Sequence, residues 1–265
     1  MLLANEKKLE YLNLMVRKDS LFGPLNDLCE QIGSLEELCH LQLSFIGPEL
    51  IPGYKPRISS FIPCLQKTLT KPIRLETLCL LCHQIDPSEA FLGLLKLLKD
   101  SADSLQKLEI NFAPYSPTKA DQVGIVRFIK SLEKIQKLKL PFLNIASQNF
   151  IEGITQAILP LKYLREFKIG EIQEGVTASG YCDAIVAILS KRGLRIFECQ
   201  SFHSLLEKCG LPKDWEVQDL SAHQSNLLRA AIKNPSLECV DLSSDSPHLD
   251  LFDNLFTWEE FHQFP

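Results

Sequence analysis

The sequence predicts an α/β solenoid in which short parallel strands alternate with helices. The first observation is a frame, Leu-x-x-Leu-x-Leu, that occurs seven times with an apolar residue at each marked position. The copies begin at Leu38, Leu75, Leu105, Ile135, Leu164, Leu194 and Leu237. The second observation is that the steps from Leu75 to Leu194 are 30, 30, 29 and 30 residues. A fixed period in this range is typical of repeat architectures that stack to bury one continuous core.

Each repeat contains one strand and one helix according to its apolar spacing. Within a frame, the second and third apolar residues are two positions apart, which places them on one face of a strand. Between frames, apolar residues recur at helical spacing. The helical sets are Phe91, Leu94, Leu95 and Leu98; Ile125, Phe128, Ile129 and Leu132; Ile151, Ile154 and Ile158; and Ile185, Ile188 and Leu189.

Helix start and stop signals lie between the frames. A cap and a proline at the first helical position are predicted at Asp86-Pro87-Ser88-Glu89 and again at Ser116-Pro117. Lys191 and Arg192, followed by Gly193, predict cations in a last helical turn and a glycine stop.

The frame resembles the leucine-rich repeat family, as in LQKLEINFA from Leu105 and IQKLKLPFL from Ile135. Its period resembles that of the ribonuclease-inhibitor-like subclass. The resemblance implies a right-handed horseshoe with parallel strands on the concave face and helices on the convex face. The chain departs from the family at the usual asparagine position, so turns less uniform than in regular members are expected there. That position holds Ile46, His83, Ala113, Leu143, Ile172, Phe202 and Asp245.

Three regions follow from this frame. Residues 1–34 are predicted to form a helical N-terminal cap, with Leu9, Leu12 and Val16 on its inner face. Residues 35–245 hold about seven repeats, and 246–265 are predicted to form a C-terminal cap over the last strand. The period is broken by a proline-rich insertion at 47–72 and by a longer segment at 202–222. Each of these is either a functional rim or a tolerated loop.

Composition excludes several function classes. A net charge of −5 gives no general affinity for nucleic acid or anionic membrane. The first residues are interrupted by charge, unlike a secretory signal, and no stretch approaches the roughly 20 apolar residues of a membrane helix. Nine cysteines, an odd number, favour reduced thiols and therefore a cytoplasmic protein. We expect a monomer.

Motifs that suggest chemistry have simpler explanations. Cys79 and Cys82 form a CxxC beside His83, and Cys39 and His40 belong to the neighbouring frame. A zinc site would need four such ligands, but a second CxxC is missing and the frame explains both cysteines as strand positions.

Enzymatic motifs are also weak. Cys239 and Asp241 match the Cys-x-Asp of bacterial leucine-rich repeat ubiquitin ligases, but the residues after them are too few for a ligase domain. The sequence has no glycine-rich phosphate loop and no HExxH motif. We predict a non-enzyme without cofactor or bound metal.

The variable positions of the strands predict the candidate site. The third, fifth and seventh residues of each frame point towards the concave side, and the eighth residue is phenylalanine in several copies. One interpretation is an ordinary solvated sheet face, with Phe45, Phe112 and Phe142 buried beneath the loops that follow the strands. The other is a two-signed groove that binds a partner, with a patch of lysines, an acidic end at Glu198, Glu238 and Asp241, and an edge formed by the phenylalanines. The predicted partner-binding residues are Lys107, Glu109, Phe112, Lys137, Lys139, Phe142, Arg165, Glu166, Lys168, Glu198 and Asp241.

The resemblance favours a protein-interaction module that binds a protein partner. The chain resembles the leucine-rich repeat effectors that intracellular bacteria of the Legionella type inject by type IV secretion, which would place it in the host cytosol on a host protein. A rival setting is a fragment of an animal innate-immune receptor. The alternative function is binding of a small polyanion, such as an inositol phosphate, through the lysines.

Overall fold

The computed structural model describes residues 9–17, 31–32, 34–46, 75–81, 91–171, 176–199, 226, 229–231 and 233–241. The described strands form a single parallel sheet in which their spatial order is their chain order. They are β1 Tyr11–Arg17, β2 His40–Ile46, β3 Thr77–Leu81, β4 Lys107–Asn111, β5 Lys137–Leu140, β6 Glu166–Ile169, β7 Ile196–Cys199 and β8 Cys239–Asp241.

Helices alternate with these strands. Between β3 and β7 they are α1 Phe91–Leu98, α2 Lys119–Lys130, α3 Gln148–Ile158 and α4 Ala178–Leu189, one between each successive pair of strands. The predicted α/β class, parallel strands and strand–helix alternation are therefore confirmed. The insertion at 47–72, the segment at 202–222 and the tail at 246–265 lie outside the described residues.

The strands pair with a constant register. The third residue of each frame pairs with the third residue of the next, as in Lys107 with Lys137 and Glu166 with Ile196. At the start of each strand, one carbonyl accepts two backbone N–H groups from the next frame. For example, the carbonyl of Gln106 accepts from Gln136 at 2.7 Å and from Lys137 at 3.0 Å. Equivalent side chains therefore lie side by side along the sheet, about 4.8 Å apart.

The first strand corrects the sequence analysis. The expected N-terminal helix on Leu9, Leu12 and Val16 was wrong, because residues 11–17 form β1, which pairs with the whole of β2. Leu9, Leu12 and Leu14 form an eighth copy of the frame, 29 residues before Leu38. Leucines at helical spacing concealed the alternation of Leu12, Leu14 and Val16. Pairing with β2 decides between the helical period of 3.6 residues and the strand period of two residues.

The core lies between the sheet and the helices. The first frame residue is almost fully buried from Leu38 to Leu194, and Leu237 is partly buried. From β2 to β7 the fourth and sixth residues of each frame, such as Leu108 and Ile110, are also buried, and they join helix residues such as Ile125 in one hydrophobic core. Truncating one such leucine to alanine typically costs about 2–5 kcal/mol of stability. The helices therefore cover one face of the sheet, and the variable residues lie on the other.

Two helix boundaries differ from the predicted ones. Helix α2 is capped by Thr118 rather than Ser116: the Thr118 hydroxyl accepts from Asp121 N at 3.3 Å, and Asp121 closes a capping box. Helix α4 ends at Leu189, so Lys191 is past its last turn; Gly193 follows with a φ of 84° in the turn to β7. The predicted caps at Asp86 to Glu89 lie outside the described residues.

Polar side chains join consecutive repeats behind the sheet. The Lys191 ammonium is mostly buried and donates to the carbonyl of Leu159 at 3.0 Å, and burial lowers the pKa of Lys191. One repeat later, the amide of Asn234 donates to the carbonyls of Leu189 and Lys191, each at 2.9 Å. Each side chain therefore donates to a carbonyl at the end of the helix one repeat earlier, α3 for Lys191 and α4 for Asn234. Helices leave such carbonyls without a partner of their own.

Candidate functional site

The candidate site is the face of the sheet opposite the helices, which we call the exposed sheet face. From β4 to β7 it is formed by the third and fifth residues of each frame. All of these are half-buried, and they alternate along the strand with fully buried residues. Strand alternation explains this, because Leu108 and Leu138 turn inward while the residues on either side of them turn outward. The residues of this part of the face are Lys107, Glu109, Lys137, Lys139, Glu166, Lys168, Ile196 and Glu198.

Predicted residues on four strands are thus brought together. Asp241 lies on β8, where its backbone pairs with Glu198. Arg165 lies just before β6 and is exposed. Phe45 was expected on the aromatic edge, but its side chain lies outside the described part of the structure.

The lysines are part of a network of ion pairs. The Lys137 ammonium lies 2.5 Å from one Glu166 oxygen, and the Lys139 ammonium lies 3.7 Å from the other. Lys168 pairs with Glu198 at 2.6 Å. Lys139 and Lys168 are in register on adjacent strands, where like charges destabilise a sheet unless they are compensated. The expected lysine patch is therefore a two-signed network rather than a uniform positive surface.

The margins of this network are paired as well. Lys107 lies 3.4 Å from Glu109 on its own strand. Arg195 donates through Nε and a terminal nitrogen to both oxygens of Glu238, at 2.8 and 2.7 Å. This bidentate hydrogen bond, followed by the Coulomb attraction of Glu238, raises the pKa of Arg195. Glu198 and Glu238, expected as parts of an acidic end, thus each have a cation beside them.

The expectation of an exposed aromatic edge was wrong for Phe112 and Phe142, and the alternative of burial holds for both. Phe112 and Phe142 are each only 2% exposed. The Phe142 ring centre lies 5.0 Å from that of Phe91 on α1 and 5.2 Å from that of Phe112. These rings pack against each other and against α1, because burying their large apolar area stabilises the fold more than exposing it to water would. They stabilise the core and are not available to a partner.

One residue of the face has a steric role. Gly170, a seventh frame residue, is buried. A Cβ atom there would lie 2.5 Å from the Pro141 carbonyl oxygen and 2.7 Å from that of Leu143. The backbone of the preceding repeat therefore requires glycine, and Gly170 offers no contact surface.

Sequence reasoning missed an uncharged part of the same face on β1 and β2. Tyr11 and Met15 on β1 are 55% and 68% exposed. The Tyr11 ring centre lies 5.9 Å from that of His40, its register partner on β2. Asn13 and Gln42 continue this surface. The eighth frame copy at Leu9 is the signal that would have revealed it, because Tyr11 and Met15 are its third and seventh residues.

The thiols of the CxxC region are poorly suited to chemistry. Cys79 is buried, and burial, with the Coulomb effect of Glu109, raises its pKa to about 11. A protonated thiol is a poor nucleophile and a poor metal ligand. Cys82 and His83 lie outside the described residues. Among the residues that the structure describes, no three His, Cys, Asp or Glu side chains are grouped as metal ligands.

Comparison with known proteins adds no assignment. No protein-family model matches the chain, and no curated protein matches it either. Within the described residues, no helix has both the length and the apolar character needed to cross a bilayer.

Proposed function

We propose that this chain is a leucine-rich repeat protein of the ribonuclease-inhibitor-like type that binds a protein partner through the exposed sheet face. The parallel sheet in chain order, the near-constant step and the constant register support a right-handed horseshoe with this face on its concave side. The single observation that carries the function is that β4 to β7 present a two-signed set of half-exposed side chains away from the helices.

The dimensions and charges of this face favour a protein. Eight strands at about 4.8 Å spacing give a surface roughly 34 Å long, which is far longer than a small ligand. Alternating charges fixed by ion pairs are suited to orienting a complementary protein surface and rejecting others. The uncharged part around Tyr11 and Met15 supplies apolar contact area next to the charged part.

The alternative, a small polyanion bound by strand lysines, gains no support from the geometry. Lys137, Lys139 and Lys168 each lie within 4 Å of a glutamate, so a phosphate would have to displace a carboxylate of the protein. The bacterial effector setting depends on the resemblance alone and stays a prediction, as does the cytosolic location.

A charge swap tests the proposal without changing net charge. In Lys168→Glu combined with Glu198→Lys, the ion pair is retained but its direction is inverted. The matched control is Arg127→Glu combined with Asp183→Lys, since both residues are exposed on helices. Each variant is immobilised and used to capture proteins from a eukaryotic cell lysate, followed by titration of the captured protein.

We expect at least one protein that binds saturably to the wild type and the control, and about tenfold more weakly to the swapped variant. Circular dichroism should give the same melting temperature for the wild type and the swapped variant. If all captured proteins bind the swapped variant as tightly as the wild type, the exposed sheet face is not the binding surface.

A further inference from the structure

A second surface lies at the edge of the sheet where the strands begin. It consists of the second frame residue of each strand together with, for β2 and β4 to β8, the two turn residues before the frame, and we call it the entry edge. Because the register is constant, these positions lie in one row from β1 to β8. The row adjoins the exposed sheet face but shares none of its third and fifth frame residues, so the inference does not depend on the proposed function.

The described charged residues in the first half of the entry edge are all acidic. Exposed carboxylates occupy the turn before β2, the turn before β4 and the second frame position of β1; Glu76, half-buried, lies before β3. The exposed acidic residues are Glu10, Glu36, Glu37 and Asp103. The two residues before the β1 frame and the two before the β3 frame lie outside the described residues; the sequence has Lys7 and Lys8 at the first place and Arg74 at the second.

The surroundings of the Cys39 thiol agree with this clustering. The pKa of Cys39, the second frame residue of β2, is raised first by burial and then by the Coulomb effects of Glu76, Glu10 and Glu37. Carboxylates from three repeats therefore act on one thiol, and their charges add along the edge.

The second half is basic apart from the mutually paired Arg195 and Glu238, and it carries one exposed aromatic residue. Lys134, Lys162 and Arg192 lie in the turns before β5, β6 and β7, and Arg165 is the second frame residue of β6. All four side chains are exposed, and none makes an ion pair with another described residue. Tyr163, in the turn before β6, is 57% exposed among them. Glu133 precedes Lys134 directly, so the sign changes before β5.

Separate signs on one row restrict the partner. The two halves are centred about 17 Å apart, from strand spacing. This exceeds the Debye length of about 8 Å at physiological salt, so each half acts as its own patch. A nucleic acid or an anionic membrane would be attracted to the basic half and repelled by the acidic half. An extended polypeptide, at roughly 3.3 Å per residue, covers that distance with five or six residues.

We propose that the entry edge binds an extended protein segment that has one acidic half and one basic half. The acidic half of the segment lies over the basic half of the edge, and its basic half lies over the acidic half of the edge. Tyr163 lies where the acidic half of the segment would pass, and it supplies an aromatic contact at little cost in side-chain entropy. The guanidinium groups of Arg165 and Arg192 offer bidentate bonds to carboxylates.

The probe is a fluorescent peptide with four glutamates, Gly-Ser and four lysines. Two control peptides separate the explanations: one has the same composition with alternating glutamate and lysine, and the other has glutamates only. Binding is measured by fluorescence anisotropy with the full chain at physiological salt, about 0.15 M, where the Debye length is about 8 Å. The edge variant is Lys162→Glu with Arg192→Glu, and the matched control is Lys119→Glu with Arg127→Glu on α2, which changes net charge equally.

We expect the segregated peptide to bind about five- to tenfold more tightly than the alternating one, corresponding to a few surface ion pairs. The edge variant should lose this preference, while the α2 control and the Lys168–Glu198 swap should keep it. Equal binding of the segregated and alternating peptides, or equally tight binding of the glutamate-only peptide, would overturn the proposal. Because the swap tests the exposed sheet face alone, the two proposals can fail separately.

Discussion

Glu166 is the residue on which the exposed sheet face depends most. Among the described residues it is the one anion within 4 Å of both Lys137 and Lys139, and its side chain is 16% exposed. In Glu166→Gln the shape is kept while the negative charge is removed, leaving the two lysines next to the register-paired cations Lys107 and Lys168. Exposed or half-exposed pairs contribute about 0.2–1 kcal/mol each, and uncompensated like charges on neighbouring strands cost a similar amount.

We therefore expect Glu166→Gln to lower the free energy of unfolding by about 1–2 kcal/mol at low salt. The assay is urea denaturation followed by circular dichroism at low salt and at about 1 M salt, where the Debye length is roughly 3 Å. At high salt the loss should fall by about half or more. A loss that is independent of salt, or smaller than about 0.3 kcal/mol at low salt, would refute the view that charge compensation organises this face.

Two further predictions concern the repeats themselves. Asn234→Ala removes three hydrogen bonds of a buried amide, including those to the carbonyls of Leu189 and Lys191. We therefore expect the free energy of unfolding, measured by urea denaturation, to fall by about 2–4 kcal/mol. The control Asn149→Ala, at an exposed position of α3, should change it very little. Equal losses would contradict the bridging role. Burial acts to raise the pKa of Asp121, but hydrogen bonds from Tyr115 and Thr118 outweigh it and lower the pKa. This carboxylate therefore adds stability above its unfolded pKa of about 3.9, which is lost as pH falls through the lower folded value. Asp121→Asn should reduce the dependence of the melting temperature on pH between about 2 and 4, and an unchanged pH dependence would refute it.

The candidate site was predictable in part. The positions of Lys107, Lys137, Lys139, Glu166 and Lys168 on one sheet face follow from strand alternation once the frame is recognised. The pairing of their charges does not follow, because it depends on which side chains meet across neighbouring strands. The buried rings of Phe112 and Phe142 show the same limit, since an apolar residue next to a strand can turn either way.

The sequence by itself determined the strand–helix alternation and the order of the strands, because a repeated frame imposes the same local structure each time. Only the tertiary structure decided that Leu9 opens an eighth strand, since the pattern of residues 9–16 fits two periods until a neighbour pairs with it. It also decided that Gly170 must be glycine and that the uncompensated cations lie on the entry edge. Both depend on distances between residues about 30 positions apart in the chain, which no local pattern encodes.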